Sequence, residues 1–224
     1  MDIKKLKRLT YLRFFAGIPV LGLFFFLPAG TLNYWEAWLY LVVLFTPIFF
    51  VMQYLLKNDP GLLERRMRMR EQAGEQGLII KLSFVYFLVT FLLPGFDKRF
   101  GWSEVPVWLV LVADLIVLAG YIVVILVFRE NSYASRTVEV DEDQKVIDTG
   151  PYSVVRHPMY SGLTALYVIS PLALGSYWAL IPALLIVPII VARIVSEEKI
   201  LAEELPGYTE YQKKVKYRLL PGVW

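Results

Sequence analysis

The sequence contains no cysteine, and its single histidine is His157. Without cysteine the chain cannot form a disulfide framework, a thiolate metal site or a cysteine nucleophile. With one histidine, a metal site that uses several imidazole ligands is excluded as well. We therefore expect no metal cofactor in this protein.

Charged residues are also scarce. They make up 19% of the 224 residues, whereas hydrophobic residues make up 57% and aromatic residues 15%. A soluble domain needs a larger polar fraction to cover its core. Most of this chain must therefore contact lipid, and the lipid bilayer is its first expected partner.

Long apolar runs account for this composition. A membrane-spanning helix needs roughly 20 predominantly apolar residues to cross a hydrocarbon core of about 30 Å. Six runs are candidates, at residues 14–27, 35–56, 78–94, 105–128, 159–174 and 177–195. Because only Gly175 and Ser176 separate the last two, we expect a tight hairpin whose tip need not cross the bilayer. The first run lacks a small-x-small cleavage pattern, so we expect the mature protein to keep it.

The predicted fold class is all-α, a polytopic transmembrane bundle of about six helices. No internal repeat divides the chain, and we expect residues 1–224 to form a single membrane domain. Within it, residues 1–77 would form an N-terminal helical hairpin and loop. Residues 129–224 contain the longest polar stretch and would form the functional region.

Lysine and arginine fall on alternate connections between the runs. They precede the first run and follow the second, fourth and sixth: Lys4, Lys5, Lys7, Arg8, then Arg65, Arg66, Arg68, Arg70, then Arg129, Arg136, Lys145, Arg156, then Lys213, Lys214, Lys216 and Arg218. The positive-inside rule predicts that both termini and the long polar loops face the cytoplasm. These charges lie at helix ends and form no continuous face, so we expect no nucleic-acid partner.

A first candidate site lies where the polar segment 131–157 meets the fifth run. Pro158 suits the first position of a helix, and the residue before a proline avoids the helical region, so His157 is the predicted N-cap. The unpaired N–H groups of a helix N-terminus and the charge of Arg156 would attract a carboxylate. The alternative is that Arg156 only reaches lipid headgroups and His157 is a plain cap.

A second candidate site lies at the end of the sixth run, where Arg193 and Glu197 are one turn apart on one helix face. Arg before Glu is the less favourable of the two orders for an isolated helix pair, and an acid near a helix C-terminus opposes the macrodipole. The pair could bind the carboxylate and the amino group of an amino acid, respectively; a solvated charge cluster is the alternative. The first site lies at the start of the predicted hairpin and the second at its end, so the two should be neighbours. A small zwitterion could therefore contact both.

Six short motifs between residues 131 and 221 follow the order and spacing of one enzyme family. They are Asn131-Ser-Tyr-Ala-Ser, Val146-Ile-Asp-Thr-Gly-Pro-Tyr152, Arg156-His-Pro-Met-Tyr160, Arg193-x-x-x-Glu197-Glu198, Tyr208-x-x-Tyr211 and Leu220-Pro221. In these motifs the chain resembles the isoprenylcysteine carboxyl methyltransferase family. The wider superfamily also contains membrane phospholipid N-methyltransferases, which share the RHPxY and EE elements.

The resemblance implies a membrane enzyme that binds S-adenosyl-L-methionine in a cytosolic C-terminal pocket and releases S-adenosylhomocysteine. Its lipophilic acceptor would enter from the bilayer. No Rossmann sheet is expected, in agreement with the lack of a GxGxxG motif. By matching positions, the cofactor pocket would be lined by Gln144, Lys145, Val146, Ile147, Tyr152, His157, Arg193 and Glu197. Supporting roles would fall to Asn131, Tyr160 and Glu198.

The resemblance also implies that Arg156 and Glu197 are the catalytic residues. If the acceptor is the carboxylate of an isoprenylcysteine-like molecule, both reactants lose charge and no strong base is needed, so Arg156 would orient the carboxylate. If it is instead the amine of phosphatidylethanolamine, a base must remove a proton, and Glu197, Glu198 and His157 are candidates. The motifs that follow Glu198 favour the carboxylate.

A membrane transport or structural protein is the competing class. Asp114 is its best support, because an ionisable residue inside a membrane span is a candidate functional site. Transporters of known type carry broken helices in paired halves, and Pro47, Pro182 and Pro188 interrupt the runs without such pairing. The sequence therefore favours the enzyme.

Overall fold

The computed structural model describes residues 2–67, 76–134 and 144–224, and the regular secondary structure of these ranges is helical, which confirms the predicted class. The α-helices are α1 (Ile3–Ala29), α2 (Trp35–Asn58), α3 (Pro60–Met67), α4 (Gln76–Phe100), α5 (Val107–Glu130), α6 (Pro158–Ala173), α7 (Leu180–Leu184), α8 (Ile186–Glu204) and α9 (Tyr208–Lys214). A 3-10 turn lies at Gly150–Ser153. Arg68, Arg70 and Arg136, used above to predict orientation, lie outside the described residues.

Four segments of the described chain are long and apolar enough to cross a membrane: Ile3–Ala29, Trp35–Asn58, Val107–Glu130 and Leu180–Glu204. α4 has a comparable length of 25 residues. α6 has only 16 residues, a rise of about 24 Å that is shorter than a hydrocarbon core of about 30 Å. The protein is thus a multi-pass helical membrane protein, and the number of six spans remains a prediction.

The helix ends differ from the ends of the apolar runs. α1 begins at Ile3, well before residue 14, and α8 continues to Glu204, well past residue 195. Lysine, leucine and glutamate are good helix formers, so the helices continue beyond the apolar segment. α8 ends where Leu205 precedes Pro206, because the residue before a proline avoids the helical region. The ends of the apolar runs therefore do not predict the ends of the helices.

Two local corrections have a proline as their cause. The run 177–195 is divided at Leu185 into α7 and α8, because Pro188 lacks an N–H and its ring clashes with the carbonyl four residues earlier. The expected loop after α2 contains the helix α3. Pro60 is its first residue, and the Asp59 carboxylate accepts a hydrogen bond from the Leu62 N–H (2.8 Å), so the segment carries its own start signal.

Glycines allow close helix crossings at two places in the bundle. A Cβ atom on Gly120 of α5 would lie 2.9 Å from the Gly162 carbonyl oxygen of α6, and a Cβ on Gly162 would lie 2.7 Å from the Gly120 carbonyl oxygen. A Cβ on Gly95 of α4 would lie 2.6 Å from the Phe25 carbonyl oxygen of α1. Small residues let backbones approach in this way inside a membrane. These crossings fix the positions of the helices that carry the site.

The bundle has one end rich in tryptophan and one end rich in polar loops. At the first end Lys98 forms a 3.1 Å ion pair with Glu36, and the Tyr34 hydroxyl donates to the Leu174 carbonyl oxygen. Five exposed tryptophans lie on helix ends and connections there, as expected for an aromatic belt at a membrane interface: Trp35, Trp38, Trp102, Trp108 and Trp178. The opposite end carries α3, α9 and the polar connection between α5 and α6.

Asp114 lies in α5, inside the bundle. Its side chain is buried, and neither carboxylate oxygen has a hydrogen-bond partner in the described part of the chain. It is not among the residues that line the two cavities described below. Asp114 therefore takes no part in the candidate site.

Candidate active site

A cavity opens at the polar end of the bundle, between α6, α8, α9 and the connection that precedes α6. It is lined by all of the residues that the resemblance assigned to the cofactor: Gln144, Lys145, Val146, Ile147, Tyr152, His157, Arg193 and Glu197. Arg156, Asn131 and Tyr160 line it too. We call it the polar cavity. The two candidate sites at the ends of the hairpin therefore meet in one place, and the individual roles of these residues remain predictions.

The start of α6 has the predicted form. His157 is the N-cap and Pro158 the first helical residue. The C-terminal segment lies alongside: the Arg156 and His157 N–H groups donate to the carbonyl oxygens of Tyr217 and Arg218, at 2.9 Å each. These bonds fix the backbone at the cap and hold the last residues of the chain against the cavity wall.

Glu198 is the centre of a buried ionic cluster. Its side chain accepts hydrogen bonds from Arg156 Nε (2.6 Å) and Arg218 Nε (2.8 Å), and its Oε1 lies 3.2 Å from His157 Nε2. Glu198, Arg156 and His157 are each at least nine-tenths buried. A charge pair buried this deeply requires both partners, because the loss of one leaves the other unpaired. Glu198 therefore supports the site from behind the cavity wall.

The guanidinium of Arg156 has further partners. Its Nη1 donates to the carbonyl oxygens of Val215 (2.7 Å) and Lys216 (2.9 Å). Together with Glu198, these contacts tie the residue before the α6 cap to the C-terminal segment. The observed contacts are those of a residue that positions the wall of the cavity.

Tyr160 links α6 to the charged pair of α8. Its hydroxyl donates to Glu197 Oε2 (2.7 Å) and accepts a hydrogen bond from Arg193 Nε (2.8 Å). Arg193 and Glu197 therefore face the same cavity, as their spacing of one helical turn predicts. A carboxylate and a guanidinium on one wall match the ammonium and carboxylate groups of a zwitterion.

Tyr152, which also lines the polar cavity, is held by two neighbours. Its hydroxyl accepts a hydrogen bond from Asn131 Nδ2 (2.9 Å), and its carbonyl oxygen accepts one from the Tyr211 hydroxyl (2.7 Å). Burial raises the pKa of Tyr152 to about 12. The phenol is therefore neutral at physiological pH, and the predicted supporting role of Asn131 has a physical basis in the orientation of this ring.

Tyr208 and Tyr211 line the polar cavity, although the sequence assigned them no role there. Tyr208 is 4% exposed, and its hydroxyl is buried with no hydrogen-bond partner among the described residues. Burial, followed by the nearby Glu198 carboxylate, raises the pKa of Tyr208, so its hydroxyl keeps its proton. A buried donor without a partner is rare in native proteins. The Tyr208-x-x-Tyr211 motif is the sequence feature that could have indicated a place for these two tyrosines in the cavity.

The residues of the polar cavity fit the predicted cofactor. S-Adenosylmethionine carries an ammonium, a carboxylate and a polar ring system, and the cavity offers the Glu197 carboxylate, the Arg193 guanidinium and the unpaired Tyr208 hydroxyl. Among the described residues, no three histidine or acidic side chains lie close enough together to hold a metal ion. The chemistry of the cavity is that of a site for a zwitterion.

A second cavity of about 900 Å³ lies deeper in the bundle. Its walls are mainly apolar side chains of α1, α2, α5, α6 and α8, and we call it the apolar cavity. Met159, Tyr160 and Arg193 line both cavities, so the two meet at these residues. The charged residues of the apolar cavity are Arg13, Arg66 and Arg193, and its described lining contains no acidic residue. Its volume lies in the range of small-molecule binding sites.

Comparison with known proteins bears on the whole arrangement. Residues 108–206 match the model of a family described as phospholipid methyltransferase, and no curated protein matches the sequence. Among solved structures, the chain is similar to a eukaryotic intramembrane Ras methyltransferase, the isoprenylcysteine carboxyl methyltransferase, with a TM-score of 0.51 and 16% identity. That alignment covers 96% of this chain and 85% of the other.

The family match and the structural match are both consistent with the position of the polar cavity. At 16% identity the structural likeness is evidence for a shared fold. The family match includes the α6 cap and the charged face of α8, which line the polar cavity. These findings support the predicted superfamily of isoprenylcysteine carboxyl and phospholipid methyltransferases: residues 108–206 match the phospholipid methyltransferase family, and the chain shares its fold with an isoprenylcysteine carboxyl methyltransferase.

Proposed function

We propose that the protein transfers a methyl group from S-adenosyl-L-methionine to a lipophilic acceptor, most favourably an acceptor carboxylate. The observation that carries this proposal is the meeting of the two cavities at Met159, Tyr160 and Arg193. A polar site for the methyl donor and an apolar site for the acceptor must share a boundary at the reacting atoms. The shared residues supply that boundary.

The residues of the polar cavity would hold the donor by its amino-acid end. S-Adenosylmethionine supplies a transferable methyl group on a positively charged sulfur. Glu197 would bind the ammonium group and Arg193 the carboxylate, and Tyr160 would fix the relative positions of these two side chains. Tyr152 and the segment 144–147 would form the wall against the ring system. The enzyme then contributes mainly by positioning.

The charges of the apolar cavity favour an anionic acceptor. Arg13, Arg66 and Arg193 line it, and its described lining has no acidic residue that would attract an amine. The resemblance assigned the orientation of an acceptor carboxylate to Arg156, which lines the polar cavity and contacts Glu198. Because Arg156 is not among the residues that line the apolar cavity, we propose Arg156 as a positioning residue, while Arg193, at the boundary of the two cavities, serves the donor carboxylate.

A phospholipid amine is the second candidate acceptor, and the match of residues 108–206 to the phospholipid methyltransferase family favours it. An amine must lose a proton before it accepts a methyl group. Glu197 and His157 line the polar cavity and would be the candidate bases, whereas Glu198 is held by Arg156 and Arg218. Glu197 would then combine cofactor binding with proton transfer.

Binding of S-adenosylhomocysteine to the detergent-purified protein, measured by calorimetry, tests the cofactor proposal. We expect micromolar binding by the wild type and a loss of at least about tenfold in affinity for Glu197→Gln, because a charge-assisted hydrogen bond is removed. Glu203→Gln is the matched control, since Glu203 is exposed on the same helix. A folded wild type that does not bind would disprove the enzyme proposal.

The acceptor is tested by methyl transfer to an S-farnesylcysteine carboxylate and to phosphatidylethanolamine in parallel, each over a range of pH. A carboxylate is ionised throughout the neutral range, so its methylation rate should be flat above about pH 6. Amine methylation should rise with pH as the base loses its proton. If only phosphatidylethanolamine is methylated, the acceptor is a phospholipid amine and the proposal of an acceptor carboxylate is wrong.

A further inference from the structure

The short helix α3 (Pro60–Met67) lines the apolar cavity with Leu63, Arg66 and Met67 and belongs to the N-terminal half of the chain. Leu62 is fully buried, and α3 packs into a cluster with residues of α1, α2 and α5 and with Ala134. At its C-terminal end, the Met67 carbonyl oxygen accepts a hydrogen bond from Arg13 Nη1 of α1 (2.9 Å). α3 is therefore fixed to the membrane helices on one side.

Arg66 connects α3 to both cavities. Its Nη1 donates to the Ala134 carbonyl oxygen (2.7 Å) and lies 3.9 Å from Met159 Sδ. Its guanidinium carbon lies 4.6 Å from the centre of the Phe128 ring, the distance of a cation–π contact. Arg66 lines the apolar cavity, Ala134 the polar cavity, and Met159 both.

The turn that Arg66 contacts, residues 131–134, forms part of the wall of the polar cavity. Arg65 Nη2 donates to the Ser132 carbonyl oxygen (2.6 Å), so α3 binds this turn at two points. Within the turn, Asn131 Oδ1 accepts from the Tyr133 N–H (2.8 Å), and Asn131 Nδ2 donates to the Tyr152 hydroxyl (2.9 Å). A continuous series of hydrogen bonds thus joins α3 to Tyr152.

We propose that Arg66 is a positioning residue for the methyl donor: from α3 it holds the 131–134 turn, and through Asn131 it sets the orientation of Tyr152. This inference rests on the proposed function, because it requires the donor to bind in the polar cavity. Its consequence is that the N-terminal third of the chain, outside the segment matched to the methyltransferase family, contributes to donor affinity.

The test is S-adenosylhomocysteine binding by the full-length protein in detergent, measured by calorimetry. Arg66→Met keeps the apolar stem and removes the donor groups, and we expect it to weaken binding about tenfold, as for the loss of a hydrogen bond from a charged group. Arg66→Lys keeps a charged donor and should recover part of the affinity. Lys57→Met, at an exposed position on α2, is the matched control and should bind within about twofold of the wild type.

A double-mutant cycle distinguishes positioning from a general loss of stability. If Arg66 acts through the turn, the effects of Arg66→Met and Asn131→Ala on affinity should be less than additive, because both interrupt one connection. Equal affinity of the wild type and Arg66→Met, or additive effects in the cycle, would overturn the inference while leaving the proposed function intact. Absence of binding by the folded wild type would instead overturn the proposed function, and this inference with it.

Discussion

Two tyrosines of α9, Tyr208 and Tyr211, differ in what their hydroxyl groups contact. The Tyr211 hydroxyl donates to the Tyr152 carbonyl oxygen, whereas the Tyr208 hydroxyl is buried without a partner among the described residues. The first contact stabilises the folded protein. The second group can gain a hydrogen bond when a ligand supplies an acceptor.

Tyr208→Phe should therefore weaken S-adenosylhomocysteine binding by about threefold to tenfold, the value of one hydrogen bond, and leave the melting temperature unchanged or raised. Tyr211→Phe is the matched control. It should lower the melting temperature, because it leaves the Tyr152 carbonyl oxygen without its donor. Calorimetry and thermal unfolding measure the two effects. Equal affinity of Tyr208→Phe and the wild type would show that the unpaired hydroxyl is not a ligand contact.

Glu198→Gln should be destabilising by about 3 kcal/mol or more, because Arg156 would remain buried without its counter-charge. The ion pairs that Glu198 forms with Arg156 and Arg218 have N–O distances of 2.6 and 2.8 Å. Denaturant or thermal unfolding in detergent measures the change, with the exposed Glu203→Gln as the control. A stable Glu198→Gln that has lost only turnover would indicate a direct chemical role.

Local spacing predicted some of these residues well. The cap at His157 and the shared face of Arg193 and Glu197 depend on contacts within one helical turn, which sequence rules describe. The partners of Glu198 could not be predicted in this way, because Arg218 approaches through the C-terminal segment. The same holds for Arg66, whose contact with Ala134 joins distant parts of the chain.

At the scale of the elements, the crossing of α5 and α6 fixes the start of α6 and with it the cap at the polar cavity. Gly120 and Gly162 face each other there, and each would place a Cβ atom within 3 Å of the other's carbonyl oxygen. Such a distance cannot be accommodated without separation of the backbones. The polar cavity therefore depends on a contact in the middle of the bundle.

Gly162→Ala should lower the melting temperature and weaken S-adenosylhomocysteine binding together, because a displaced α6 moves His157 and Tyr160. Gly22→Ala in α1 is the control, since its Cβ would meet no atom closer than 3.8 Å. Alanine there should be neutral or stabilising, as it favours helix more than glycine does. A Gly162→Ala protein with wild-type stability would show that the two helices can separate at little cost.

The elements also show where hydropathy was informative. The apolar runs predicted the existence and order of the long helices, because lipid contact requires them. They did not predict α3, whose start signal at Asp59 and Pro60 is capping chemistry unrelated to hydropathy. The break at Leu185 follows from Pro188, which was noted from the sequence as an interruption but which hydropathy alone does not register.

At the scale of the whole molecule, the charge distribution and the site lie at the same end of the bundle. The lysines and arginines that predict a cytoplasmic face lie in the first turns of α1, after α2, at and after the end of α5, and around α9. The polar cavity is lined by residues of the same end. A cytoplasmic polar cavity is the orientation that this arrangement favours.

The native chain lacks cysteine, so single cysteines can be added without background. Thr31→Cys and Asn58→Cys place a thiol at exposed positions before and at the end of α2. A membrane-impermeant maleimide added to intact cells should label Thr31→Cys, whereas Asn58→Cys should react only after permeabilisation. The reverse pattern would place the polar cavity outside the cytoplasm.

The separation of tryptophans between the two ends has a spectroscopic consequence. Five lie at the end remote from the polar cavity, whereas the ring of Trp224 lies 5.1 Å from the Arg218 guanidinium, which in turn contacts Glu198 behind the cavity wall. Brominated lipids should quench the emission of the interfacial five. The unquenched fluorescence would come largely from Trp224. Ligand binding in the polar cavity could therefore be followed by intrinsic tryptophan fluorescence.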